Sequence, residues 1–170
     1  MKHSVLQPLT QALLQQQYTV TCAESCTGGL LAAALTEYAG SSAWFNMGFT
    51  TYSNQAKQQL LGVRQATLDH HGAVSAETVQ EMAAGALAAA AADFALSISG
   101  IAGPGGGSEA KPVGTVWFGL AQRSLDPSQP AIHSEARMHF FTGNREQVRA
   151  QAVVAALHWL LEVISPNHSK

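Results

Sequence analysis

Apolar side chains recur at helical spacing at Val5, Leu6, Leu9, Ala12, Leu13 and Leu14, which predicts a helix over residues 5–17 with Pro8 in its first turn. The period then changes. Residues 18–22 form a continuous β-prone run and read as a strand, and Leu30-Leu31-Ala32-Ala33-Ala34-Leu35 predicts a helix over 28–38. Between them lies the glycine-assisted turn Ala-Glu-Ser-Cys-Thr-Gly-Gly. A second strand, aromatic and β-branched, is expected over 44–52. Ser53 and Asn54 look like a cap for a short helix over 55–61 closed by Gly62, with Asn54 taken as the cap. Residues 64–71 suggest another helical turn ending at Gly72. Ser75 is placed to cap an alanine-rich helix reaching about Ala92, with Glu77 in its first turn. Residues 95–99 read as a short buried strand, and 100–112 as a loop with five glycines and two prolines. Strands over 114–122 and 132–141 follow, joined by a polar hairpin-type connection over 123–130. Asn144 should cap the last helix, whose apolar face is Val148, Ala152, Ala155, Ala156, Trp159, Leu160 and Val163; residues 165–170 should fray.

Strands alternating with helices argue for an α/β domain, a three-layer α/β/α sandwich, and the late strand pair makes its central sheet mixed. At 170 residues the chain is expected to be one domain, 1–170, with a full core and no internal repeat.

Composition changes this picture mainly by exclusion. A formal net charge of -2 gives no general attraction to nucleic acid or an anionic membrane. The longest low-polarity stretch, 82–92, is too short to span a bilayer, and the amino terminus lacks the basic start and apolar core of a signal peptide. Cys22 and Cys26 are read as reduced thiols of a cytoplasmic protein, and the seven histidines show no metal-ligand spacing, so neither metal nor cofactor is expected. Low charge, 12% of residues, with a high apolar content predicts a homo-oligomer. The stretch 44–49 is either part of the interface or an ordinary core strand.

Ligands of layered α/β domains bind beyond the carboxyl ends of the strands. Three segments converge there. In the first turn, Ser25 is either a nucleophile or, with Thr27, an ordinary helix cap. In the second, Lys57 is either a solvated surface lysine or a base whose proton affinity is lowered by the helix amino terminus and by burial. To act near neutrality such a lysine must lose its proton far below the usual value of about 10.4, which costs on the order of 4 kcal/mol. Tyr52 is either a proton relay or a strand residue. In the third, the loop from Gly100 through Gly103 to Gly107 offers successive N–H groups to an anion, but it has neither the P-loop ending nor the dinucleotide spacing.

Six segments together carry a family resemblance. AESCTGG (23–29), GSSAWF (40–45), TYSNQAK (51–57), GAVS (72–75), SGIAGPGGG (99–107) and KPVGTVW (111–117), in this order, resemble the CinA carboxy-terminal domain family, and the likeness runs from about Tyr18 to the last helix. The resemblance implies hydrolysis of the carboxamide of nicotinamide mononucleotide to nicotinate mononucleotide and ammonia, a step in pyridine nucleotide recycling. The family's serine, lysine and tyrosine fall on Ser25, Lys57 and Tyr52. A hydroxyl that is commonly threonine falls on Ser99, which keeps the donor and loses a methyl.

Joined to the reading of the residues, this implies a metal-free acyl-enzyme mechanism. Lys57 takes the proton of Ser25, Ser25 attacks, backbone N–H groups of Thr27, Gly28 and Gly29 hold the oxyanion, and Tyr52 delivers a proton to ammonia. Arg145, at the start of the last helix, is the candidate partner of the substrate phosphate, with Arg149 as second choice. Two alternatives stand beside it: a non-catalytic nucleotide-binding or regulatory paralogue, and a cysteine hydrolase using Cys26, for which no paired base is visible near the motif.

Overall fold

In a computed structural model, residues 2–124, 128 and 131–165 are described. The elements in chain order are α1 (Lys2–Gln16), β1 (Val20–Glu24), α2 (Leu30–Leu35), β2 (Phe45–Thr50), α3 (Asn54–Leu61), α4 (Gln65–His71), α5 (Ala76–Ala90), β3 (Phe94–Gly100), β4 (Thr115–Arg123), β5 (Ile132–Phe140) and α6 (Arg145–Ile164). The sheet order is β2-β1-β3-β4-β5. β1 runs parallel to both β2 and β3, while β3-β4 and β4-β5 are antiparallel. Helices cover both faces, so the α/β/α sandwich with a mixed sheet is the observed architecture.

The two faces differ in side-chain size, and strand alternation sorts them. Cys22, Leu96, Ile98, Val116, Phe118 and Leu120 point to α1, α2 and α6, where they join Leu9, Leu13, Leu31, Leu157 and Leu160 in the larger core. The opposite face presents Ala23, Ala95 and Ala121 to Met82, Ala83, Ala86 and Leu87 of α5. Small residues let α5 lie close. Ser97 Oγ donates to the Val79 carbonyl at 2.6 Å, and a Cβ on Gly119 would overlap that same carbonyl. Gly85 gives the Leu61 carbonyl of α3 a similar close approach.

Several boundaries differ from the sequence expectation, each for a local reason. β1 lies two residues later than 18–22, because Thr19 is committed to Asp93 through its N–H and hydroxyl, and Glu24 still pairs in the ladder. α2 starts at Leu30 rather than Gly28, since Gly28 and Gly29 take positive φ of 57° and 99°, and it ends at Leu35. α1 begins at Lys2, so Pro8 falls inside the helix and not in its first turn. Ser53, not Asn54, caps α3 by accepting the Ala56 N–H. In α6 it is Ile164 that is buried, while Val163 is 38% exposed. Asn144 and Gln147 form a reciprocal capping box, and Ser75 caps α5 as expected. Trp44 is buried, with its Nε1 donating to the Leu35 carbonyl, whereas β2 is a sheet edge with Met47 exposed. Most of the 123–130 connection and the 166–170 tail lie outside the described residues.

The topology places a crevice. From β1 the chain passes through α2 to β2 on one side, and from β2 through α3, α4 and α5 to β3 on the other side of β1. The carboxyl end of β1 is therefore the switch point of the parallel part of the sheet.

Candidate active site

Ser25 is the first residue beyond β1. Its N–H donates to the Ile98 carbonyl at 2.9 Å, and the Thr51 N–H donates to the Glu24 carbonyl at 2.8 Å. The Glu24-Ser25 peptide is thus tied to both flanking strands before the chain turns, and Ser99 follows directly on the residue that holds Ser25.

The turn is built by a buried carboxylate. Glu24, 1% exposed, accepts N–H groups from Gly29 (3.2 Å), Leu31 (2.9 Å) and Ala32 (2.9 Å). It occupies the positive end of α2, and charge-assisted bonds to the helix start hold the turn against the sheet. The Gly28 N–H is also engaged, with the Ser25 carbonyl at 3.1 Å. Of the three N–H groups expected to serve an oxyanion, those of Gly28 and Gly29 are therefore occupied. Among the described residues, the Thr27 N–H meets no acceptor and the Cys26 N–H meets only its own thiol sulfur.

Lys57 is 1% exposed, on the second turn of α3. Its Nζ lies 3.2 Å from Ser25 Oγ, 2.9 Å from the Thr51 carbonyl and 3.4 Å from the Tyr52 carbonyl. A neutral amine has two N–H donors and one lone pair. In that form, with both donors given to the two carbonyls, the lone pair would face the serine hydroxyl. Burial pushes the Lys57 pKa below its ordinary value, with the neighbouring Cys26 acting in the opposite sense. The helix amino terminus is not the main cause.

Cys26 is a poor nucleophile here. Burial pushes its thiol up to about 11, so it stays protonated at neutral pH. Cys22 is likewise buried, and its pKa is raised by burial and by Glu24. Both cysteines are free.

A second cluster forms the rim. Arg145 Nη1 donates to the Gly103 carbonyl at 2.9 Å, and Nη2 to Tyr52 Oη at 3.1 Å. The side chain of Tyr52 is 62% exposed, and its hydroxyl is turned to Arg145 rather than to Ser25 or Lys57. Arg145 thereby joins the loop after β3 to the loop after β2. Gly100 admits that first loop close to β4, since a Cβ there would meet Val116 and the Thr115 carbonyl. Ser99 is 1% exposed and donates its hydroxyl to the Ala73 carbonyl at 2.7 Å, so toward the crevice it can only accept. Lys111 ties the loop from beneath, donating to the carbonyls of His71 and Val74. Arg149 faces inward, with Nε on the Cys26 carbonyl (3.0 Å) and Nη2 on the Thr27 carbonyl (2.9 Å).

Sequence reasoning assigned no role to Glu24 and met Arg149 only as a second choice for phosphate. A carboxylate immediately before a helix start was the available signal for the first. Nothing local marked the second, whose partners are more than a hundred residues away. Among the described residues no cluster of three or more His, Cys, Asp or Glu side chains could hold a metal ion.

Comparison with known proteins bears on this arrangement. The model of the CinA C-terminal domain matches residues 2–164. The nicotinamide-nucleotide amidohydrolase PncC of Enterobacter agglomerans is 52% identical over 168 residues, covering 97% of this chain and 96% of that protein. The protein of the same name from Escherichia coli (strain K12) is 55% identical over 157 residues, 92% of this chain and 91% of its own length. Among solved structures, the competence damage-inducible protein A of Klebsiella pneumoniae subsp. pneumoniae superposes with a TM-score of 0.89 at 41% identity, covering 99% of each chain.

Proposed function

Because the chain belongs to the CinA C-terminal domain family, we propose that it is a nicotinamide-nucleotide amidohydrolase, an enzyme that deamidates nicotinamide mononucleotide to nicotinate mononucleotide and ammonia. Its relatives of matching length carry that activity in their names. The observation that carries the chemistry is the 3.2 Å approach of a buried lysine to the hydroxyl at the end of β1.

In this reading neutral Lys57 accepts the Ser25 proton as Oγ attacks the carboxamide carbon. The N–H groups of Cys26 and Thr27 receive the oxyanion; removing one such donor typically costs roughly 3 kcal/mol. Lys57, now an ammonium, returns the proton to the departing nitrogen. That step falls to Lys57 and not to Tyr52, whose hydroxyl is held by Arg145. Ammonia leaves, water attacks the acyl-serine with Lys57 again as base, and the carboxylate product departs. Ser99 accepts from the carboxamide NH2, and the loop at Gly100 and Gly103 walls the pocket. Arg145, with two of its five N–H donors used on Gly103 and Tyr52, offers the others to the phosphate.

The same reading takes residues 1–170 as one amidohydrolase domain acting in the cytoplasm, where two free thiols are stable. No helix among the described residues is long and apolar enough to cross a membrane. It also takes the protein as a homo-oligomer without nucleic-acid or membrane partners. Supporting self-association is an apolar groove of about 590 Å³ between α2 and α6, lined by Leu30, Ala33, Phe141, Ala150 and Val154. Sedimentation that finds only monomer at micromolar concentration refutes the oligomer.

Ammonia release from nicotinamide mononucleotide by the purified protein, lost in Ser25→Ala, is the deciding assay. Binding of the mononucleotide without release would instead establish the non-catalytic nucleotide-binding alternative.

A further inference from the structure

The turn that carries Ser25 has charged side chains on two sides, and only one of them belongs to the turn. Glu24 takes the N–H groups of Gly29, Leu31 and Ala32. Arg149 reaches across from α6 and takes two successive carbonyls, those of Cys26 and Thr27, with two nitrogens of one planar fork. A lysine has no such fork and serves as a single point donor.

The consequence follows from peptide geometry. A trans peptide directs its C=O and N–H to opposite sides. The carbonyl of the Cys26-Thr27 peptide is fixed on Arg149, so the Thr27 N–H is directed away from α6. In the Ser25-Cys26 peptide, the carbonyl is fixed by the Gly28 N–H, so the Cys26 N–H is also directed outward from the turn. The Cys26 N–H is that of the residue after the nucleophile, a donor that serine hydrolases with a sharp strand-to-helix turn use for the oxyanion. The Gly28 N–H on the Ser25 carbonyl and the Leu30 N–H on the Thr27 carbonyl tie the flanking peptides, but without Arg149 the Cys26 carbonyl has no partner among the described residues, and the aim of the Thr27 N–H loosens.

We infer that Arg149 is a positioning residue for the oxyanion site: by clamping the Cys26 and Thr27 carbonyls it presents the Thr27 N–H, beside that of Cys26, to the oxygen of the tetrahedral intermediate. This rests on the amidohydrolase reading and deepens it. With Nε and Nη2 of Arg149 given to the turn, the phosphate falls to Arg145 in this reading.

The test measures wild type, Ser25→Ala, Arg149→Lys and Arg149→Met on nicotinamide mononucleotide, on nicotinamide riboside and on the thioamide counterpart of the mononucleotide. Ammonia release serves for all three substrates, the thioamide leaving a thiocarboxylate in place of the carboxylate, with melting temperature and product binding followed in parallel. Turnover by wild type and its loss in Ser25→Ala establish the underlying reading by themselves. For Arg149→Met, kcat should fall about a hundredfold on the mononucleotide and the riboside alike, the size expected for one displaced oxyanion donor. KM and product binding should stay within about twofold, and Arg149→Lys should regain part of the loss. The thioamide should lose less than the amide, because sulfur is the weaker acceptor. A loss confined to KM for the mononucleotide overturns the inference in favour of a phosphate contact. A lowered melting temperature with unchanged kcat, in Arg149→Lys if the methionine variant does not fold, overturns it in favour of a purely structural bond. Equal losses on amide and thioamide overturn it as well. If wild type releases no ammonia, the amidohydrolase reading fails first and the inference with it.

Discussion

Lys57 Nζ and Ser25 Oγ lie 3.2 Å apart at the carboxyl end of β1, although 32 positions separate them in the chain. The pair is held by backbone on both sides: the Ser25 N–H by Ile98, the Lys57 amine by the carbonyls of Thr51 and Tyr52. Because burial lowers the lysine's proton affinity, turnover should rise with pH through an apparent pKa below that of free lysine. Lys57→Arg keeps the cation but cannot deprotonate in this range, and it should be as inactive as Lys57→Met. Retention of more than about a tenth of wild-type turnover would mean a loss below about 1.4 kcal/mol, too little for a general base. Ser25→Ala should be equally inactive, and the double variant no worse than either single one, since the two groups act as a unit.

The same shift predicts a stability effect of definite sign. The folded protein releases the Lys57 proton at lower pH than the unfolded chain does. Between the lowered folded value and about 10.4, the unfolded state therefore binds more protons, and stability rises with pH across that window. Urea midpoints followed over the alkaline range should rise for wild type relative to Lys57→Met. A parallel course for the two proteins would contradict the buried, easily deprotonated lysine.

Arg145 reaches both Tyr52 Oη and the Gly103 carbonyl. If its remaining donors hold the phosphate, Arg145→Ala should raise KM for the mononucleotide by about tenfold or more, in the range of a lost charge-assisted bond of about 1.5–3 kcal/mol. Turnover of the riboside should hardly change. Equal losses on both substrates would assign Arg145 to loop structure alone.

Glu24 has no place in the proton transfers, yet three N–H groups depend on it. Glu24→Ala should destabilise the protein by at least about 2 kcal/mol, since each buried donor left unpaired costs about 1–3 kcal/mol. Glu24→Gln keeps one acceptor oxygen and should lose less. Chemical denaturation of the three proteins measures this, and a Glu24→Ala midpoint equal to wild type would show that the N–H groups find other partners.

Gly119→Ala offers a check on the packing behind the site. The added methyl would overlap the Val79 carbonyl and Ser97 Oγ, forcing α5 off the sheet at an expected cost of about 1–3 kcal/mol. Ser97→Ala, which relieves part of the overlap but leaves the clash with the Val79 carbonyl and removes the hydroxyl's bond to it, should not restore stability in the double variant.

Periodicity alone determined which segments form helices and strands, because each buries one face and the period of apolar residues records that face. The glycine turn after the first strand, the cap at Asn144 and the cap at Ser75 were readable for the same reason: they are interactions between neighbours in the chain. The family motifs brought Ser25, Tyr52 and Lys57 together on paper, but they said nothing of how each is oriented. Only the tertiary structure turned Tyr52 outward to Arg145, buried Lys57 against two carbonyls, and occupied the Gly28 and Gly29 N–H groups. Glu24 and Arg149 show the limit most clearly. A charged residue in a sequence looks solvated until the fold supplies unpaired N–H or C=O groups for it to satisfy. Those groups are created by the turn itself, whose shape depends on strands and a helix brought in from the far end of the chain.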